Sequence, residues 1–243
     1  MVPTTPGMLY TVGLGPGDPE LMTVKAARII ARAPVIAFFA KRGRIGHARS
    51  MVEGRINPST EELRLEYPFT TEIAVHDPRY ANQLGAFYEV AAAELATRLD
   101  GGQDVALLCE GDPYFYGSSL AILERLGGRY PSEVIPGVTG MSGCWTRAAT
   151  PMVRGDDVLT VLSGTLDEDR LVERLSTSDA VVIMKVGRNF AKIQVALRRS
   201  RRLEQAVYVE RGTMDGERIA LFTQVDGETA PYFSLVLVPG RKR

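Results

Sequence analysis

The residues of this chain best suited to chemistry lie in short turns rich in glycine, proline and aspartate. Gly13-Leu14-Gly15-Pro16-Gly17-Asp18 follows an apolar run and precedes a helical pattern. Glu110-Gly111-Asp112-Pro113 follows a second apolar run, and Pro136-Gly137-Val138-Thr139 a third. Glycine lacks a Cβ, so at such turns backbone amides and carbonyls can approach a planar or polar ligand directly, a surface that suits a nucleoside. The first turn is not a dinucleotide fingerprint, because its third glycine comes one residue too early for G-x-G-x-x-G. Nor does a Gly-Lys-Ser/Thr follow to make a phosphate loop. Taken singly, each turn reads equally well as a plain strand-to-helix connection. Taken together, they gather on one sheet edge if their strands are parallel, and that edge is where open α/β sheets bind ligands.

Other chemistries are disfavoured. His47 and His76 are isolated from any second His or Cys at ligand spacing, so no metal is expected. Cys109 and Cys144 sit in apolar surroundings and read as reduced, buried thiols. Lys plus Arg and Asp plus Glu both total 29, leaving no global field to attract nucleic acid. Locally the balance differs, because Lys41, Arg42, Arg44, Arg49 and Arg55 face a single acid, Glu53, in the same segment. That segment suits a ligand with many carboxylates, or else is a solvated loop. Asp18 either faces a substrate or caps the helix beginning near Pro19. Arg198, Arg199, Arg201 and Arg202 read as a helix end favoured by its dipole.

These residues need elements to hold them. The 45% apolar and 24% charged composition is that of a globular protein. The longest apolar run, Ala33 to Ala40, contains Pro34 and falls far short of the ~20 residues that cross a bilayer, so no membrane partner is expected. Met1 to Met8 carry no basic charge and no long apolar stretch, which argues against a secretory signal and for the cytoplasm. Strands are expected at Met8 to Gly13, Val35 to Phe39, Val105 to Cys109 and around Val134-Ile135. Helices are expected at Leu21 to Ala33, with Lys25, Arg28 and Arg32 as its wet stripe, and from the Asp77-Pro78 start to Gly101. The pattern then restarts: strands at Val158 to Leu162, Ala180 to Met184, Val207 to Glu210, Arg218 to Phe222 and Tyr232 to Val238 alternate at first with helices at Glu168 to Leu175 and Asn189 to Arg199. The last two strands have no helix between them, so the second half should carry a mixed sheet. The fold class is therefore α/β in two α/β domains, residues 1–150 and 151–243.

Together the turns resemble the tetrapyrrole methylases, S-adenosylmethionine enzymes of corrin and sirohaem synthesis marked by G-x-G-P-G-D, a central G-D-P and P-G-V-T. All three marks occur here in order, and the resemblance runs from Tyr10 onward. Ser163-Gly164-Thr165-Leu166, Met184 to Asn189 and Glu210 to Met214 look most like the branch that methylates precorrin-2 at C-20. The resemblance implies a ligand cleft between two α/β domains, a homodimer, S-adenosyl-L-methionine as methyl donor, a small-molecule tetrapyrrole substrate and no metal. It assigns the cofactor to Pro16, Glu110, Gly111, Asp112, Phe115, Thr139, Gly140, Met184, Val186 and Gly212. A polycarboxylate substrate would then fall to Lys41, Arg42 and Arg44, with Asp18 as a further candidate. Some relatives carry an Asp just after the second strand as a proposed proton acceptor. Here that stretch is Ala37-Phe38-Phe39-Ala40, so no catalytic base carries over. Within the same family, a cobalt-loaded acceptor or another ring position remains open, as does a non-tetrapyrrole such as diphthine. A nucleotide-binding regulator without chemistry is the alternative from another class.

Overall fold

The structure, a computed structural model, describes residues 5–68, 78–227 and 229–240. His76 and the expected cap Asp77 lie outside them. Backbone contacts divide the chain into two units, Met1–Thr139 and Gly140–Arg243.

The first unit contains β1 (Leu9–Gly13), α1 (Val24–Ile30), β2 (Val35–Lys41), α2 (His47–Met51), β3 (Glu61–Tyr67), α3 (Pro78–Asp100), β4 (Val105–Cys109), α4 (Ser119–Leu126) and β5 (Ser132–Ile135). The sheet order is β3-β2-β4-β1-β5, and every pair is parallel. Leu9, Val35, Ala37 and Leu107 pack on one face with Leu95 and Leu99 of α3 and Ile122 of α4. On the other face Val12, Ile36, Phe38 and Leu108 pack with Ala26 and Ile30 of α1 and Ala48 and Met51 of α2. Burial on both faces is why β2 and β4 read as nearly continuous apolar runs, while β1 carries one polar residue, the buried Thr11.

Two elements escape that signal. The edge strand β3 alternates, with Leu63 and Leu65 buried between exposed Glu62, Arg64 and Glu66, and α2 is a single short turn and a half. The helix expected from Leu21 instead begins at Val24, because the Thr23 hydroxyl caps it by accepting the Ala26 N–H at 3.2 Å.

The second unit contains α5 (Gly140–Arg147), β6 (Leu159–Ser163), α6 (Glu168–Thr177), β7 (Ala180–Met184), α7 (Phe190–Arg199), β8 (Val207–Glu210), β9 (Arg218–Leu221) and β10 (Ser234–Val238). Its sheet, β6-β7-β10-β8-β9, is mixed as expected, with β10 antiparallel to both neighbours. The division falls before α5 rather than after residue 150, because Cys144, with Met141 and Trp145, packs with Val182, Val209 and Leu235 of this sheet.

Arg202 departs from the expected helix end, lying beyond α7. It is 3% exposed, and its guanidinium donates to the carbonyls of Ser178 at 2.9 Å and Asp179 at 2.7 Å, as well as to Leu175 and Pro239. It therefore satisfies carbonyls at the α6–β7 connection and beyond the end of β10, as a buried charge must. Arg199, on the surface, pairs with Glu168 and Asp169.

Gly85 lies inside α3, and a Cβ built there meets nothing within 4 Å. Gly85→Ala should therefore stabilise the protein by about 0.5–1 kcal/mol, by lowering the entropy of the unfolded chain. Denaturant unfolding checks this, and a loss of stability would show that the α3 surface is constrained there.

Candidate ligand-binding edges of the two units

In the first unit β1 lies between β4 and β5, so the turns that leave these strands emerge side by side on the C-terminal edge. Register sets Gly13 beside Cys109, and Val12 beside both Leu108 and Ile135. Main chain then knits the turns together. The Gly111 N–H donates to the Gly15 carbonyl at 2.7 Å, and the Gly15 N–H donates back at 3.3 Å. The Asp112 carboxylate accepts the Gly137 N–H at 3.1 Å and the Tyr114 N–H at 2.9 Å.

This closeness depends on glycine. A Cβ on Gly137 would stand 2.0 Å from the Gly111 carbonyl oxygen, and one on Gly13 2.6 Å from the Gly137 nitrogen. Two of the glycines that suggested ligand access thus serve packing of turn against turn.

Pro16 is half-buried between Gly15 at φ 89° and Gly17 at φ 147°, and Gly111 has φ 67°. The half-buried Phe115 ring meets Tyr116 edge-on at 5.0 Å. Thr139 is half-buried at the end of the unit. Glu110 is exposed, and its carboxylate accepts the Ala48 N–H at the start of α2 at 3.1 Å. Asp18 does what the capping reading requires, accepting the Glu20 N–H at 2.9 Å to close the turn Pro19–Leu21.

Lys41 ends β2, so Lys41, Arg42 and Arg44 stand exposed on the same sheet edge, and the Arg44 N–H returns to the Lys41 carbonyl at 2.9 Å. Arg49 differs from these three. Its guanidinium grips Glu62 at 2.6 and 2.8 Å and Glu53 at 2.6 Å. The hydrogen bonds from Arg49 hold the Glu62 carboxyl below its usual range. Arg49 is structural, and its pairing with Glu53 could have been read from their four-residue spacing.

A hollow of about 330 Å³ lined by Tyr10, Lys25, Arg28, Arg32, Asp104 and Glu133 lies at the opposite edge, where β1 and β5 begin. It touches none of the glycine turns, and the convergence of backbone marks the C-terminal edge as the better candidate. Among the described residues no cluster of His, Cys, Asp and Glu has the makings of a metal site. No helix among them is long and apolar enough to cross a membrane.

In the second unit β6, β7 and β8 all run parallel, since β6 pairs parallel with β7 and β10 opposes both β7 and β8. The turns after them share an edge. The Gly164 N–H donates to the Met184 carbonyl at 2.7 Å, and a Cβ on Gly164 would lie 2.9 Å from the Lys185 carbonyl oxygen. Met184 is half-buried at the end of β7. Val186 is fully buried with Phe190 and Ile193, so neither its side chain nor its main chain is exposed at this edge. Gly140 opens α5 with free space around its would-be Cβ.

Lys185, Arg211 and Thr213 adopt φ of 56°, 50° and 68°, a conformation non-glycine residues seldom hold and a β-branched one least of all. Thr213 is held there by its N–H to Glu217 at 2.8 Å, and Glu217 by a bidentate Arg147. No residue-type signal foretold this strain. Both cysteines are free, and burial pushes each thiol up to about 12, so neither is a nucleophile at neutral pH.

Gly212 is buried against α5, where a Cβ would lie 2.6 Å from the Cys144 sulfur. Gly212→Ala should cost about 1–3 kcal/mol through overpacking. Adding Cys144→Ala should return part of that loss in a double-mutant cycle read by urea unfolding. Strictly additive losses would show that the two positions do not press on each other.

Comparison with known proteins agrees with this architecture. The family described as Tetrapyrrole (Corrin/Porphyrin) Methylases matches residues 8–225. The chain is 54% identical, over 97% of its length and 96% of the relative's, to a Precorrin-2 C(20)-methyltransferase from Sinorhizobium sp. It is 31% identical, over 96% of both chains, to a Cobalt-precorrin-2 C(20)-methyltransferase from Salmonella typhimurium. The crystal structure of a uroporphyrin-III C-methyl transferase from Thermus thermophilus, complexed with S-adenyl homocysteine, shares the fold at a TM-score of 0.62 and 23% identity, covering 96% of this chain and 92% of that one. The chain belongs to the tetrapyrrole methylase family.

Proposed function

We propose that this chain transfers a methyl group from S-adenosyl-L-methionine to C-20 of precorrin-2, giving precorrin-3A in cobalamin synthesis. The observation that carries the reading is the 54% identity, over almost the whole of both chains, to a Precorrin-2 C(20)-methyltransferase. The Thermus relative with S-adenyl homocysteine bound supports the choice of donor. The residues fit such a donor, since the C-terminal edge of the first unit offers backbone-lined turns and a half-buried aromatic ring, Phe115. In that unit Pro16, Gly111, Asp112, Phe115 and Thr139 are the candidates. In the second they are Gly140, Met184 and Gly212, whereas the fully buried Val186 offers no exposed atom. Homodimer formation rests on the family resemblance alone.

When bound, S-adenosylmethionine supplies an electrophilic methyl on a sulfonium that already leaves readily. The chain's task is then alignment. Fixed turns that hold donor and acceptor in line can be worth effective molarities of about 10⁵–10⁸ M. The acceptor carbon is an electron-rich bridge of a reduced tetrapyrrole, pushed by the ring's own nitrogen. Lys41, Arg42 and Arg44 hold peripheral carboxylates, and Ala37-Phe38-Phe39-Ala40 supplies no base. On this reading no single side chain is an indispensable proton acceptor.

Product made from precorrin-2 and a carbon-13-labelled methyl donor should carry the label at C-20 by NMR. Label at another position, or transfer only to a cobalt-loaded ring, would contradict the assignment. Charge reversal at Lys41, Arg42 or Arg44 should raise the substrate KM about two- to fivefold at low salt, less at high salt, with S-adenosylhomocysteine affinity unchanged. Unchanged kinetics in all three variants would remove these residues from the substrate site.

A further inference from the structure

The short helix α2 has a weak beginning. Its N-cap is Gly46, which has no side chain with which to accept a helix N–H, so the first amides of α2 must find partners elsewhere. One of them does so far along the chain, with the Ala48 N–H donating to the Glu110 carboxylate at 3.1 Å. An anionic acceptor at a helix N-terminus is the favourable sign of charge, and a charge-assisted bond is stronger than a neutral one.

Two further contacts fix α2, beside the packing of its Ala48 and Met51 on the sheet. Gly46 lies so close to β2 that a Cβ would stand 2.2 Å from the Phe39 carbonyl oxygen, and Arg49 is tied to Glu62 of β3. Between Lys41, the last residue of β2, and Gly46 runs only a tight loop, closed by the Arg44 N–H to the Lys41 carbonyl at 2.9 Å. The cations Lys41, Arg42 and Arg44 therefore stand where the end of β2 and the start of α2 put them.

Among these anchors on α2, Glu110 belongs to a glycine turn. The next residue, Gly111, makes the paired backbone bonds to Gly15. Glu110 thus joins the turn assigned to the cofactor with the loop assigned to the acidic substrate.

We propose that Glu110 is a positioning residue for substrate binding: by capping α2 through Ala48 it holds the basic loop in register with the Gly111 turn. This rests on the function proposed above and refines the role of Glu110 from cofactor contact to organiser of the adjoining loop. It acts through α2 rather than by touching the macrocycle.

The test compares Glu110→Ala with Glu110→Gln in the full chain. Glutamine keeps an oxygen able to accept the Ala48 N–H, whereas alanine does not. In Glu110→Ala the KM for precorrin-2 should rise roughly tenfold with kcat little changed, and in Glu110→Gln by no more than about threefold. The calorimetric Kd for S-adenosylhomocysteine should stay at the wild-type value in both. Amide exchange of residues 46–51 should quicken in the alanine variant and recover in the glutamine one. Titration with uroporphyrin, a stable polycarboxylate macrocycle, should show the same order of affinities.

A cofactor Kd weakened as much as the KM would overturn the proposal in favour of direct cofactor contact. Glutamine behaving like alanine, or exchange unchanged in both, would overturn the capping link. Exchange and uroporphyrin binding need no turnover. If they follow the expected order while wild-type enzyme fails to methylate precorrin-2, the choice of acceptor fails and the role of Glu110 stands.

Discussion

The constraint on which the first unit depends is the contact of main chain with main chain at the ends of β1, β4 and β5. The backbone pair between Gly15 and Gly111, with Gly137 pressed on the Gly111 carbonyl, leaves no room for a side chain between the turns. Such an approach is possible because β1 is central, with β4 on one side and β5 on the other. Burial of both faces of β1 and β4 fixes their register, pairing with β1 sets that of β5, and the register brings the turns into contact. Sequence, topology and site are thereby one chain of cause.

A surface built this way is organised before any ligand arrives. The Asp112 carboxylate spends its two oxygens on the amides of Tyr114 and Gly137, and Asp18 closes its own turn. Residues that mark the family are thus in good part the braces of the turns, and rigid turns are what alignment of a methyl donor requires. The second unit solves its own edge in the same way, with Gly164 against the end of β7 and Gly212 against α5. There the braces extend to strained residues, since Thr213 holds a left-handed conformation through Glu217 and Arg147.

Much of the fold was legible in the residues. Val105–Cys109, Ala180–Met184 and Val207–Glu210 are strands at the positions their apolar runs indicate, because both faces of each are covered. The edge strand β3 was not legible, since half of it faces water and its charges mask the alternation, and α2 is too short to show a period. In the site, the glycine positions were evident but their cause was not. That a glycine yields space to another turn rather than to a ligand depends on contacts such as Gly13 with Gly137, which only the folded sheet creates. The Arg49–Glu62 pair and the Glu110–Ala48 bond escaped for the same reason, as each joins residues from different elements.

The central claim is that the three glycine turns of the first unit form one preorganised ligand surface. Titration of nitrogen-15-labelled protein with S-adenosylhomocysteine tests it most directly. The account predicts that the first unit's largest amide shift changes fall within residues 13–18, 110–117 and 137–139, with the Gly15 and Gly111 amides already protected from exchange in the free protein. Shift changes centred instead on Tyr10, Lys25, Arg28 and Glu133 at the opposite edge, or Gly15 and Gly111 amides that become protected only on binding, would contradict it.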